Sequence, residues 1–166
     1  MTAANVTGLR LTGADLTRAN LTRADLTDAD LTGADLSGMV LTGLRLDNAV
    51  LTDTDLNGTD LSGVPLTLVR SGGIVGTPSG LPARMGVFDG FLIGPGVSLA
   101  DADLRDRDLH GADFESVWLE GADLRGANLA GIHSGAVFAP TSLTLSPGWG
   151  LVGGYLMGPG VDLTGA

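Results

Sequence analysis

Leucine recurs at every fifth position through the first part of the chain, where the sequence reads LTGADLTRANLTRADLTDADL and continues in the same phase. Two positions before most of these leucines lies a small or apolar residue, and a polar residue, usually Asp or Asn, separates the two. The twelve leucines are Leu11, Leu16, Leu21, Leu26, Leu31, Leu36, Leu41, Leu46, Leu51, Leu56, Leu61 and Leu66.

A five-residue period fits neither a regular helix nor a flat strand. On an α-helix, successive leucines would lie about 140° apart around the axis, because each residue turns the chain by about 100°. On a strand, an odd period would place them on alternate faces. They are buried together only if each unit is a short extended piece followed by a corner. The pattern therefore predicts a solenoid in which the leucine and the small residue point inward.

The units GADLT, RANLT, RADLT and DADLT resemble the A(D/N)LXX unit of the pentapeptide repeat family. This resemblance implies an all-β fold, a right-handed quadrilateral parallel β-helix with four pentads per coil. Residues twenty apart would then stack on the same side, about 4.8 Å from each other.

A longer repeat is superimposed on the pentads, because two regular runs are each followed by the same specialised module. LTLVRSGGIVG at 66–76 matches LAGIHSGAVFA at 129–139. We predict one β-solenoid domain over residues 1–166 with about seven coils and two corner loops. The coil is expected to continue through both modules, with Val87/Asp89 and Leu92/Gly94 as inward pairs of the first and Leu151/Gly153 and Leu156/Gly158 of the second. The segments are regular pentads at 4–66 and 97–131, modules at 67–96 and 132–166, and loops at 77–84 and 140–149.

Composition excludes several classes of protein. The chain has 166 residues, a formal net charge of −10, nine Arg and no Lys, so no basic stripe for direct nucleic-acid binding is expected. The absence of Cys excludes disulfides and thiolate metal sites. No apolar run is long enough to span a membrane, and the repeat begins near Met1, which leaves no room for a signal peptide. We therefore expect a cytoplasmic protein, with a fragment of a larger, exported protein as the alternative.

The motifs that carry enzyme chemistry are missing from the sequence. It has no Ser/His/Asp grouping, phosphate loop or zinc-ligand spacing. His110 and His133 occupy unrelated repeat positions and are interpreted as surface residues. We expect no catalytic, cofactor-binding or metal-binding residue and no cofactor.

Counting pentads places five aspartates on one side of the solenoid, in a column that Val75 interrupts. One interpretation is a ladder for divalent cations, since carboxylate oxygens suit calcium. The favoured interpretation is a solvated face on which each Asp bonds to a nearby corner amide. The aspartates are Asp15, Asp35, Asp55, Asp103 and Asp123.

Three further outward or misplaced residues stand out. Trp118 points outward and is expected to stack beside Phe138, either as a contact site for a partner or under the second loop. Arg107 occupies an inward alanine position, where an unpaired guanidinium would be costly. We expect it to turn outward beside Asp106 or Asp108.

Two functions from different classes remain open. The first is a non-enzymatic structural or protein-interaction solenoid, a rigid rod or part of one. Its partners would be proteins or further copies stacked end to end, because neither Ala4–Val6 nor residues 162–166 contain a cap. The alternative is an acidic DNA mimic that regulates a type II topoisomerase (gyrase), as some pentapeptide repeat proteins do. Those relatives carry a C-terminal helical dimerisation segment, which is not seen here.

Overall fold

The computed structural model describes residues 7–161, which divide into two compact units. Unit 1 contains residues 7–83 and 90–92, and unit 2 contains residues 84–89 and 93–161. The predicted chain ends, Ala4–Val6 and residues 162–166, lie outside the described residues. The prediction of one domain over the whole chain stays a prediction.

Secondary structure in the described residues consists of short strands, turns and corners, without any helix. The all-β prediction is therefore confirmed for this part of the chain. Accordingly, residues 7–161 contain no helix that is long and apolar enough to cross a membrane. The strands are β1 Val50–Thr52, β2 Arg70–Gly72, β3 Gly86–Phe88, β4 Phe91–Ile93, β5 Asp113–Glu115, β6 His133–Gly135, β7 Gly150–Val152 and β8 Tyr155–Met157.

Parallel pairing between residues twenty apart builds unit 1. β1 pairs with β2 in the register Val50↔Arg70, and single backbone pairings repeat the same offset along the unit. The predicted stacking of every fourth pentad is therefore confirmed. The ladders run Arg10–Asp30–Val50–Arg70, Asp15–Asp35–Asp55–Val75, Val40–Asp60–Gly80 and Asp25–Arg45.

Unit 2 repeats this construction, with β5 and β6 parallel in the register Asp113↔His133. Its ladders extend into the loop predicted at 140–149, because Asp123 pairs with Thr144, twenty-one residues on. Pairing likewise reaches Gly80 within the loop predicted at 77–84. The ladders are Ser98–Trp118–Phe138, Asp103–Asp123–Thr144, Asp108–Asn128 and Asp113–His133.

The core of each unit consists of the inward pairs that the five-residue period predicts. In unit 1 the leucines from Leu26 to Leu66 are buried, and Phe114 fills a leucine position of unit 2 with no exposed surface. Thr54 and Thr59 occupy small-residue positions and are buried. Their hydroxyls donate to backbone carbonyls of the preceding coil, at 3.0 and 2.8 Å. A polar residue is accommodated there because its hydroxyl meets an acceptor.

Each corner of the regular run turns at the second residue after the leucine. Gly33 (φ 67°) and Asp28 (φ 61°) are examples, and both adopt the left-handed conformation. Glycine has no Cβ penalty in that region, and Asp and Asn tolerate it better than most residues. This requirement explains why Gly and Asp recur at this position of the repeat.

The end of the second module departs from the predicted coil. β7 and β8 form an antiparallel hairpin in the register Leu151↔Leu156. The interpretation of residues 151–158 as two successive inward pairs is therefore wrong. The reason lies in Gly153 and Gly154, which both have positive φ (58° and 86°). Two such residues form the turn that reverses a chain into a hairpin.

One serine in each module, half-buried Ser71 and buried Ser134, forms hydrogen bonds with the backbone of a leucine. Ser71 Oγ accepts the amide of Leu92 at 2.9 Å, and Ser134 Oγ accepts the amide of Leu156 at 3.1 Å. Each hydroxyl also donates to the carbonyl of the same leucine. Ser71 and Ser134 stand where the regular repeat has leucine. The small side chain therefore completes the backbone hydrogen bonding at this position.

We expect Ser134→Ala to lower the free energy of unfolding by about 1–3 kcal/mol, because it leaves the amide and carbonyl of Leu156 without their partner in a buried position. Urea denaturation followed by tryptophan fluorescence measures this, since both tryptophans lie in unit 2. Ser116→Ala is the control, because Ser116 is exposed, and its effect should stay within about 0.5 kcal/mol. Equal effects of the two substitutions would contradict the role of Ser134.

Candidate interaction surface

The five aspartates of the predicted column lie on two ladders, one in each unit. Asp15, Asp35 and Asp55 are consecutive in unit 1, and the ladder ends at Val75, as expected. Asp103 and Asp123 are paired in unit 2. The expectation that all five share one side of one solenoid stays a prediction.

Each of these carboxylates accepts the backbone amide two residues further along the chain. The distances are 3.0 Å from Asp15, 2.9 Å from Asp35, 2.8 Å from Asp55, 3.2 Å from Asp103 and 3.1 Å from Asp123. These bonds are the corner contacts that the favoured interpretation predicts. They explain why the repeat prefers Asp or Asn before leucine, because both side chains offer an acceptor at this distance from the backbone.

Arginines neutralise part of the ladder in unit 2. Arg105 Nε donates to Asp103 Oδ1 at 2.7 Å, and Arg125 Nε donates to Asp123 Oδ1 at 2.9 Å. The hydrogen bond from Arg105 is the main reason that the pKa of Asp103 falls from 3.8 to about 2. The hydrogen bond from Arg125 likewise lowers the pKa of Asp123.

We expect Arg105→Gln to raise the pKa of Asp103 from about 2 toward 3.8, because it removes the largest cause of the shift. The folded-state pKa is depressed, so the ionised carboxylate stabilises the fold above about pH 3.8 and loses this contribution as the pH falls toward 2. Carboxyl carbon NMR over this range measures the titration. Arg10→Gln in unit 1 is the control, and an unchanged Asp103 titration in Arg105→Gln would contradict the assignment.

Trp118 and Phe138 form the stacked pair that the sequence predicts. They are paired on one ladder, and their ring centroids lie 4.0 Å apart with an interplanar angle of 45°. Trp118 is 39% exposed and Phe138 is 43% exposed. The second loop therefore leaves a substantial part of both rings accessible to solvent.

Arg107 points outward, as predicted from its place at an inward position. Its side chain is 44% exposed, and its Nη1 forms an ion pair with Asp89 Oδ2 at 3.4 Å. Spacing in the sequence did not suggest Asp89, because Asp106 and Asp108 are much nearer along the chain. The pairing depends on the path of residues 84–89, which the repeat pattern does not specify.

A charged cluster in unit 2 escaped the sequence analysis. Ligand atoms of Asp113, Glu115 and His133 lie within 4.8 Å of one another. Arg84 bridges the two carboxylates, with Nε 2.6 Å from Asp113 and Nη2 2.7 Å from Glu115. The hydrogen bond to Glu115 is the largest cause that raises the pKa of Arg84. The twenty-residue offset could have placed His133 beside Asp113, but no pattern pointed to Arg84.

The comparison with known protein families agrees with the repeat seen in the ladders. A family model described as Pentapeptide repeats matches eight copies in residues 1–38, 29–67 and 108–131, together more than half of the chain. The chain belongs to the pentapeptide repeat family. The comparison with curated proteins found no match.

Solved structures of other pentapeptide repeat proteins are similar to this chain at low sequence identity. Rfr23 from the cyanobacterium Cyanothece 51142 is 23% identical, with 85% of this chain and 90% of that chain covered and a TM-score of 0.38. HetL from Nostoc sp. strain PCC 7120 is 24% identical, with 85% and 62% covered and a TM-score of 0.30. QnrB1, a plasmid-mediated fluoroquinolone resistance protein, is 16% identical in a trypsin-treated variant form, with 97% and 87% covered and a TM-score of 0.38.

The pentapeptide repeat pattern is broken most visibly at the aromatic pair. Trp118 and Phe138 occupy the outward position before the central residue, where the regular pentads carry Asp or Asn. The corresponding residues of unit 1, sixty-three positions earlier, are Asp55 and Val75, and they pair on the ladder in the same way. The ladder therefore forms without aromatic residues at these positions.

Proposed function

We propose that this pentapeptide repeat protein is a non-enzymatic structural and protein-interaction solenoid, with a right-handed quadrilateral coil. The exposed Trp118–Phe138 pair carries this proposal. Aromatic residues are enriched among those that dominate binding energy at protein interfaces. The two rings pack against each other with centroids 4.0 Å apart, so less conformational entropy is lost when a partner binds.

The hydrogen bonds of the polar side chains support the same function. The outward aspartates accept turn amides, and no buried side-chain polar atom lacks a partner in residues 7–161. These groups maintain the corners of the repeat. The aromatic pair has no comparable role in the fold, since the corresponding ladder of unit 1 forms with Asp55 and Val75 at these positions.

Affinity capture with the purified protein tests the proposal. A partner bound by the native chain should be lost with Trp118→Asp/Phe138→Val, which installs the residues of unit 1 at the same ladder positions. Circular dichroism checks that the variant keeps its fold. A set of captured proteins that does not differ between native chain and variant would argue against this surface.

Self-association is a second mode of interaction within the same proposal. A coil that no other coil covers exposes unpaired backbone groups, which another chain can extend. The contact would be heterologous and would build a filament. Light scattering over a concentration series should then show a rising mass, whereas a constant monomer mass at high concentration would contradict stacking.

The alternative function is that of a DNA mimic, because the Asp15–Asp35–Asp55 ladder of unit 1 forms a column of carboxylates. Its carboxylates accept amides of their own turns, which ranks this function second. We expect the protein neither to inhibit gyrase nor to protect it in a supercoiling assay. Inhibition at stoichiometric concentration that is weakened by Arg at all three positions would reverse the ranking.

A further inference from the structure

Glu120 carries a fixed negative charge close to Trp118 along the chain. It lies two residues after Trp118, and its carboxylate accepts the amide of Thr141 at 3.2 Å, the hydroxyl of Thr141, and the hydroxyl of Ser142 at 2.8 Å. Thr141 and Ser142 are the third and fourth residues after Phe138. These contacts hold the carboxylate between the turns that follow Trp118 and Phe138 in two successive coils.

The carboxylate of Glu120 has capacity for a further donor. An ionised carboxylate offers about four acceptor positions, and the structure shows three donors at Glu120. The hydroxyl of Thr141 is the largest cause that lowers the pKa of Glu120, so the group is charged at neutral pH. Among the ion pairs of residues 7–161, none involves Glu120.

The cations of unit 2 already have carboxylate partners. Arg84 pairs with Asp113 and Glu115, Arg107 with Asp89, and Arg105 and Arg125 with Asp103 and Asp123. The arginines of this unit are therefore engaged elsewhere, which leaves Glu120 open to a cation from a partner. The formal charge of −10 over the whole chain favours the approach of a basic partner.

We propose that Trp118, Phe138 and Glu120 form a docking site for an arginine side chain of a partner protein. This inference rests on the proposed interaction function and gives the partner its chemistry. A guanidinium is flat, stacks on aromatic faces, and presents several N–H donors in a fixed fork. It contacts the exposed rings and donates to the remaining acceptor of Glu120. A lysine ammonium fits less well, because it is a compact and strongly hydrated point charge.

The longer repeat, which relates unit 1 to unit 2, supplies matched substitutions for the test. The residues of unit 1 that correspond to Trp118, Glu120 and Phe138 are Asp55, Asn57 and Val75, at an offset of sixty-three. Glu120→Asn and Phe138→Val thus introduce the side chains that unit 1 carries at the corresponding positions. Both variants keep Trp118, whose indole N–H reports on the site.

Proton–nitrogen NMR of the full chain is the experiment, with Trp149→Phe used to assign the two indole signals. The probes are the capped tripeptides acetyl-Gly-Arg-Gly-amide, its lysine analogue and its neutral citrulline analogue. We expect the Trp118 signal to shift with the arginine peptide, less with the lysine peptide, and hardly at all with citrulline. Glu120→Asn should weaken arginine binding by about two- to fivefold, as expected for an exposed ion pair, and Phe138→Val should weaken it as well.

Several outcomes would overturn the arginine site. Equal shifts with citrulline and arginine would show that charge plays no part, and unchanged binding in both variants would assign it to the acidic surface at large. A Trp118 shift that grows with protein concentration without peptide would assign the surface to a second copy of the chain. If affinity capture depends on Trp118 and Phe138 while the arginine peptide has no effect, the proposed function stands and the arginine site fails. If the peptide binds as expected while capture is unaffected, the proposed function fails.

Discussion

Replacing Leu36 with alanine is expected to lower the free energy of unfolding by about 2–5 kcal/mol, the range of large-to-small core substitutions. Leu36 has no exposed surface, and its amide and carbonyl are both bonded to the next coil, to Asp55 and Thr59. The ladder fixes the backbone on both sides of the side chain. The surrounding residues therefore have little freedom to close the cavity, which favours the upper part of the range.

Thr32→Ala is the control for Leu36→Ala, because Thr32 points outward on the neighbouring pentad of the same coil. Its effect should stay within about 0.5 kcal/mol. Urea denaturation followed by circular dichroism is the measurement, since both tryptophans, Trp118 and Trp149, lie in unit 2 and the backbone signal includes unit 1. Equal effects of the two substitutions would refute the assignment of inward and outward positions.

Replacing Gly76 with alanine is expected to cost about 2–5 kcal/mol, from two separate causes. Gly76 has a φ of 77°, and an L-residue pays about 1–2 kcal/mol in that region. A Cβ at Gly76 would also lie 2.4 Å from Asn57 Cβ and 2.7 Å from Asn57 Cα. Overlap with backbone atoms cannot be relieved by a side-chain rotation, and such overpacking costs about 1–3 kcal/mol more.

Gly63→Ala separates the two causes. Gly63 has nearly the same backbone conformation, with a φ of 79°, but a Cβ there would have no neighbour within 4 Å. It should therefore show only the conformational cost, about 1–2 kcal/mol. The same urea denaturation compares the two variants. A Gly76→Ala variant as stable as Gly63→Ala would show that the coils separate easily at this corner.

The two units show that the same backbone pairing can present different outward side chains. β1–β2 of unit 1 and β5–β6 of unit 2 have the same parallel register. Their first paired residues are Val50 and Arg70 in one unit and Asp113 and His133 in the other. Since the inward residues supply the core, the outward positions are free to vary. Interaction surfaces in this protein are therefore best sought among outward residues that differ between the two units.

The five-residue period by itself determined the repeating part of the fold. It identified the inward residues, such as Leu36 and Phe114, and the twenty-residue stacking that brings Trp118 beside Phe138. These predictions succeed because each pentad makes the same local choice between inward and outward, and the corner residues enforce it. The sequence also predicted the turn hydrogen bonds of the aspartates, which depend on residues only two apart.

Only the tertiary structure decided what happens where the period is interrupted. The β7–β8 hairpin, the pairing of Thr144 with Asp123 and the position of Arg84 between Asp113 and Glu115 all depend on the path of residues between the regular pentads. In those segments no periodic burial fixes which way a side chain points. Contacts between residues far apart in the chain select the conformation there, and the hydrogen bonds from Thr141 and Ser142 to Glu120 are such contacts.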